Sequence, residues 1–233
     1  MRTYVINLDC DTARWERFQA TNSHVKTERI SAVDGAAVRG HGLDIGEIFT
    51  GESPGYSNSA LGCLLSHLSL WKVAEEIQET ITVCEDDAVL SENFETARDS
   101  ILNALPDDWH ICMFMCNFDQ ICFIEAVAGI SGAAIHFDQA KMRRNIQKFR
   151  HSAQSTSAPY RLLGSLGTAC YMISPLGAEV LPEKMLPIRK FAIKMPVVDQ
   201  VIPNMGLDVA LCGIYPQVNA FMAFPPIAVS PNI

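Results

Sequence analysis

Ile81-Thr82-Val83-Cys84-Glu85-Asp86-Asp87 is an apolar, β-prone run that ends on three consecutive carboxylates. β-Branching and the lack of charge from Ile81 to Cys84 predict a short buried strand. Ala88-Val89-Leu90-Ser91-Glu92 then leads into a helical pattern with Ser91 as its cap, which places the acids in a strand-to-helix loop. In open α/β sheets, ligands bind at the carboxyl ends of strands. Three adjacent anions repel one another, and a divalent cation or a metal-bound diphosphate relieves that repulsion. The competing local reading is a solvated acidic turn that caps the next helix.

Working outward toward the N-terminus, Thr3 to Leu8 predicts a strand, and Asp11 or Thr12 caps a helix through Ala13, Trp15, Phe18 and Ala20. Arg29 to Val33 predicts a second strand, closed by the turn pair Asp34-Gly35. A β-helix-β opening implies a parallel pair and an α/β layer structure. The glycine-bearing segment from Gly35 to Ser59 has little periodicity, and a connection of that length is expected as a partly ordered loop beside the site. Asn58 or Ser59 caps the next helix. Leu61, Leu64, Leu65, Leu68 and Trp71 form its stripe, widened by Ala60, Cys63, His67, Leu70 and Ala74, so burial on most sides is expected.

Downstream of the acids, a helix is predicted near Phe94 to Leu105 and a strand near Trp109 to Met115, with the Pro106-Asp107-Asp108 turn between them. Asn117 to Leu163 shows no clear period. Its centre, Lys141 to Arg150, holds five cations and no acid, with Lys141, Arg144 and Lys148 on one helical face. It reads as a solvated helix, or as an element that touches a diphosphate or an anionic acceptor. Gly167 to Ser174 predicts a strand, followed by Pro175 at a helix N1 position with Ser174 as cap. Pro196 to Ile202 predicts a short helix and Asp208 to Tyr215 a last strand. The tail, with Pro216, Pro225, Pro226 and Pro231, is expected to run extended over the surface.

With 233 residues and 48% hydrophobic content, the chain can bury a substantial core. The net charge of -8 argues against nucleic acid or an anionic membrane as a general partner, since neutralising phosphate needs excess Lys and Arg. Asn7 and Asp9 break the first apolar run too early for a signal peptide. Asn117, Asp119, Gln120 and Glu125 interrupt the segment from Ile111 to Phe137, which comes nearest to a membrane span. A soluble, cytoplasmic protein is expected, at most peripheral to the inner membrane. Most of the eight cysteines sit in apolar segments and none has CxxC spacing, so reduced buried thiols are expected.

Six motifs in one order resemble glycosyltransferase family 25, the lipooligosaccharide-type galactosyltransferases: Tyr4-Val5-Ile6-Asn7-Leu8-Asp9 with Arg14 and Arg17, Ala32-Val33-Asp34-Gly35, Gly62-Cys63-Leu64-Leu65-Ser66-His67, Glu85-Asp86-Asp87, Gly167 to Ser174, and Pro196-Val197-Val198-Asp199. The resemblance implies a GT-A-like α/β fold, a Rossmann-like mixed sheet with helices on both faces. It divides one domain into a donor-binding part of about 1–116, an acceptor-side part of about 117–215 and the tail 216–233. It implies an inverting transfer of a sugar, most often galactose from UDP-galactose, onto a saccharide hydroxyl in lipopolysaccharide or a related glycan, usually with Mn²⁺.

Residue by residue, Asp87 with Asp86 or Glu85 would hold Mn²⁺ or Mg²⁺ through oxygen. Asn7, Asp9, Arg14, Glu85, Asp86 and Thr168 would contact the UDP-sugar. Asp199 is the candidate base for the acceptor hydroxyl; a helix N-terminal charge interaction is its alternative. His67 joins it as a candidate, against a hydrogen-bonded core histidine. The implied partners are a nucleotide sugar and a saccharide acceptor. Transient contact with a lipid-linked saccharide is compatible, and stable membrane insertion is not. Two rival classes are a metal-dependent phosphohydrolase or phosphotransferase, which lacks a Walker-type loop here, and a non-catalytic nucleotide-sugar or saccharide-binding protein of the same fold.

Overall fold

A computed structural model describes residues 1–41, 46, 48–50, 55–195 and 200–231. The N-terminal half runs β1 (Arg2–Asn7), α1 (Thr12–Thr21), β2 (Glu28–Ser31), α2 (Gly35–Gly40), α3 (Asn58–Ile77), β3 (Ile81–Glu85), β4 (Val89–Leu90), α4 (Phe94–Ala104) and β5 (Ile111–Met113). The remainder runs β6 (Cys122–Val127), β7 (Ser131–Ile135), α5 (Gln139–Phe149), β8 (Ala158–Gly164), β9 (Cys170–Ile173), α6 (Pro175–Met185), β10 (Ala192–Lys194), β11 (Val201–Pro203), α7 (Leu207–Ile214), β12 (Ala220–Phe224) and β13 (Ala228–Val229).

Nine strands form one mixed sheet in the order β2-β1-β3-β9-β5-β12-β8-β6-β7. The expected parallel opening is present: β1 pairs in parallel with both β2 and β3. β9 runs antiparallel between β3 and β5. The carboxyl ends of β1, β2 and β3 therefore meet the amino end of β9 along one edge.

Alternation along the strands sends side chains to two cores. Tyr4, Ile6, Ile81, Val83, Tyr171 and Ile173 pack on one face with Leu64 and Trp71 of α3, Leu181 of α6 and Leu211 of α7. Val5, Cys84, Cys170 and Met172 pack on the other with Phe18 of α1 and Phe94 and Ile101 of α4. The α/β layering with helices on both faces is thus present. All eight cysteines are free thiols and six are buried, as expected of apolar positions.

Three expectations are corrected. Leu207–Ile214 is helix α7, not a strand. It is buried on nearly every side, against α3, α6, β8 and β10, and an apolar run of only eight residues does not by itself separate a buried helix from a buried strand. The tail does not run over the surface. Its proline-free centre, Ala220–Phe224, is β12, inserted between β5 and β8, and Ala228–Val229 pairs antiparallel with β4. Of the predicted short helix at 196–202, residues 196–199 lie outside the described residues, and Val201 to Pro203 is strand β11. Within the segment of weak periodicity from 117 to 163, β6 and β7 form a hairpin, α5 follows, and β8 returns to the sheet. Among the described residues, no helix is long and apolar enough to cross a membrane.

Candidate active site

Two cavities adjoin on the carboxyl edge, and Glu85 and Cys63 line both. The first, of about 350 Å³, is walled by the ends of β1 and β3, by Asp11 and Arg14 of the α1 start, by Val33 to Ala36, and by Asn58, Ser59, Gly62 and His67 of α3. The second, of about 220 Å³, takes Asp87, Asn117, Gly167 to Ala169, Gly206 to Asp208 and Ser230.

β3 alternation decides where the acids go. Val83 faces the α3 core, and Glu85, two residues on, faces it too, beneath Cys63 and His67 one helical turn apart on α3. Glu85 N donates to Ala169 O over 2.9 Å, which continues the β3–β9 pairing and brings Thr168 alongside. Thr168 Oγ1 donates to Glu85 Oε1 over 2.8 Å. Burial works to raise the Glu85 carboxyl, but the neighbouring His67 imidazole, the Thr168 hydroxyl and the Arg14 charge outweigh it, and the group lies below its ordinary range.

Asp86 and Asp87 turn to different cavities. Asp86 pairs with Arg14 and accepts from Asn7 Nδ2 over 2.7 Å. Asp87 accepts from Ser230 Oγ over 2.8 Å, a contact that follows from β13 pairing with β4, since Val229 sits opposite Val89. The other carboxylate oxygen, Asp87 Oδ1, is buried without a hydrogen-bond partner among the described residues. Burial, and then the charge of Glu85, push Asp87 up to about 6. Asp208, in the first turn of α7, accepts from the backbone N–H of Val209 at 2.8 Å and of Gly167 at 3.2 Å, and burial lifts it above its ordinary value.

Asn7 is 1% exposed and both ends of its amide are engaged: Arg29 donates to its oxygen, and its nitrogen donates to Asp86 and to Asp11 O. Asp9 lines neither cavity; Arg29 and Ser31 hold it 2.7 and 2.8 Å away. His67 is fully buried, with Nδ1 2.7 Å from Tyr171 Oη and Nε2 3.4 Å from Glu85 Oε1. The Cys63 thiol is pushed well above its ordinary value by burial and then by Glu85 and Asp208, which disfavours the thiolate. Asp199 lies outside the described residues.

The expected residues Asn7, Arg14, His67, Glu85, Asp86, Asp87 and Thr168 therefore all reach the edge, with Asp86 and Asp87 on separate sides. Asp208 and Ser230 escaped the sequence reading. An acid one residue into an apolar run after Gly206 is a helix-start signal for Asp208; nothing local marks Ser230.

A family model described as "Glycosyltransferase family 25 (LPS biosynthesis protein)" matches residues 1–202. No curated protein matches the chain. Among solved structures, the crystal structure of A197 from STIV overlaps 100% of this chain and 91% of that one, at 11% identity and a TM-score of 0.41.

Proposed function

The chain belongs to glycosyltransferase family 25, and we propose that it is an inverting, metal-dependent hexosyltransferase moving galactose from UDP-galactose onto a hydroxyl of a lipopolysaccharide-type saccharide. The observation that carries this reading is the pair of cavities meeting at Glu85 and Cys63. A transferase has to hold a donor and an acceptor so that they touch at one reacting carbon. The first cavity suits the nucleotide diphosphate. α1 and α3 point their N-termini at it, and unpaired helix N–H groups favour anions. Arg14, braced by Asp86, supplies a cation for phosphate oxygens.

The donors of the second cavity fit an oxygen-seeking divalent cation. Asp87 Oδ1 is buried and unpartnered among the described residues, Glu85 and Asp208 share the cavity, and a cation offsets the burial and the Glu85 repulsion that together raise Asp87. Asp87 would hold Mn²⁺ or Mg²⁺, which when bound supplies Lewis-acid stabilisation of the departing diphosphate. Inversion in one displacement needs a base for the acceptor hydroxyl, opposite the leaving group. Asp208 is one candidate, because burial shifts it in the direction a proton acceptor needs. Asp199 remains the other, on the family motif alone.

The test incubates the purified chain with Mn²⁺ and a panel of nucleotide sugars, with and without saccharide acceptors, and follows nucleoside diphosphate release. Acceptor-dependent release of UDP is the expected outcome. Turnover of simple phosphoesters without sugar transfer, or nucleotide-sugar binding without turnover, would point to the rival classes instead.

A further inference from the structure

A run of polar contacts, hydrogen-bonded as far as His67, leads from the core to the meeting point of the two cavities. Trp71 Nε1 donates to Tyr171 Oη over 2.7 Å, and Tyr171 Oη lies 2.7 Å from His67 Nδ1. All three side chains are fully buried. An indole nitrogen can only donate, so Trp71 occupies one lone pair of Oη. Among the described residues Oη has no third partner. Its own proton therefore goes to His67 Nδ1. If Nδ1 carried a proton, Oη would face two donors and its O–H would be buried unpaired, and in the neutral tautomer a bare Nε2 lone pair would also face the Glu85 carboxylate at 3.4 Å.

Nδ1 accepts, so the imidazole proton sits on Nε2. That atom is buried, makes no aligned hydrogen bond, and stands 3.4 Å from Glu85 Oε1. Cys63, His67 and Glu85 bring a sulfur, a nitrogen and an oxygen within 4.8 Å of one another, a donor set zinc accepts. A metal there needs the Nε2 lone pair, and the direction of the chain puts a proton on it.

We propose that His67 is a positioning residue: its Nε2–H, facing Glu85 Oε1, biases that oxygen toward the Thr168 hydrogen bond, so that Oε2 is presented as an acceptor for a hydroxyl of the sugar in transfer. Thr168 Oγ1 hydrogen-bonds Oε1 at 2.8 Å, and His67 Nε2 faces the same oxygen at 3.4 Å as an electrostatic contact outside hydrogen-bond geometry. Oε2 makes no hydrogen bond to the described residues. It belongs to a side chain that lines both cavities, where a group passing from donor to acceptor has to lie. The sugar contact rests on the transferase reading. The hydrogen-bond chain does not.

Nitrogen-15 NMR of the full chain, labelled at its six histidines, reads the tautomer directly, with His67→Gln assigning the signal. The expected spectrum shows a protonated Nε2 and a bare, accepting Nδ1 at His67, unmoved by added Zn²⁺. A protonated Nδ1, or a Zn²⁺-induced shift of Nε2, overturns the chain. A second arm compares substitutions by calorimetric titration. Gln keeps an N–H near the Nε2 position, whereas Asn reaches only toward Tyr171. UDP-hexose is expected to bind His67→Gln within about threefold of wild type and His67→Asn about tenfold or more weaker, with UDP alone bound alike by all three. Equal weakening in both variants, or equal weakening of UDP and UDP-hexose, overturns the positioning role. A wild type that binds no nucleotide sugar overturns the transferase reading and the sugar contact with it, whereas a wrong tautomer overturns the chain alone.

Discussion

Asp87 pairs one satisfied carboxylate oxygen with one that has no partner, in a site that burial and Glu85 make hostile to its charge. A carboxyl raised in the folded state contributes stability that is complete below the unfolded value near 4 and is lost as pH rises through the folded value of about 6. Above that pH, ionised Asp87 costs the cation-free protein roughly 1–3 kcal/mol. Asp87→Asn is therefore expected to raise the apo Tm at pH 7.5, with the gap closing near pH 4; a variant that melts lower than wild type at pH 7.5 would contradict this. Mn²⁺ should raise the Tm of wild type and leave the variant unmoved, and turnover should fall by about 100-fold or more. Melting curves across that pH range, with and without Mn²⁺, check both halves. At this scale the sequence marked the acids as a group, because their spacing and charge are local. It could not show that Asp86 is spent on Arg14 and Asn7 while Asp87 turns away to Ser230.

Helix α3 reaches the site because two glycines let backbone meet backbone. A Cβ on Gly35 would lie 2.0 Å from Asn58 O, and one on Gly62 would lie 2.4 Å from Val33 O. Ser66 closes the same crossing, accepting from Val33 N at 2.8 Å and donating to Gly62 O at 2.7 Å. Ser66 is thus a strut for the loop after β2, and its neighbour His67 faces the site. Gly62→Ala should push α3 from Val33, costing about 1–3 kcal/mol and weakening nucleotide binding through the displaced wall of the first cavity. Denaturant unfolding and UDP titration measure the two effects; unchanged values would mean that the crossing is not tight. The stripe of α3 was legible, since apolar spacing at 3.6 residues is a local signal. α7 was not, because eight mostly buried residues are too few for the period to separate helix from strand.

Across the whole molecule, the C-terminal stretch closes both the sheet and the site. β12 lies between β5 and β8, and without it β8, β6 and β7 lose their link to the rest of the sheet. A chain ending after Val218 is expected to lose the cooperative thermal transition of the full chain, as followed by circular dichroism; a sharp transition near the full-length Tm would show that the tail is dispensable. The sequence by itself determined the parallel β1-α1-β2 opening, the α3 stripe, the buried thiols and the acidic strand end, since periodicity, capping and composition act over a few neighbouring residues. Only the tertiary structure decided that Ser230 meets Asp87 across 143 positions, that Asp208 joins the same cavity, and that Trp71, Tyr171 and His67 line up from the core toward Glu85. Those contacts depend on strand order and register between distant segments, which no local pattern encodes.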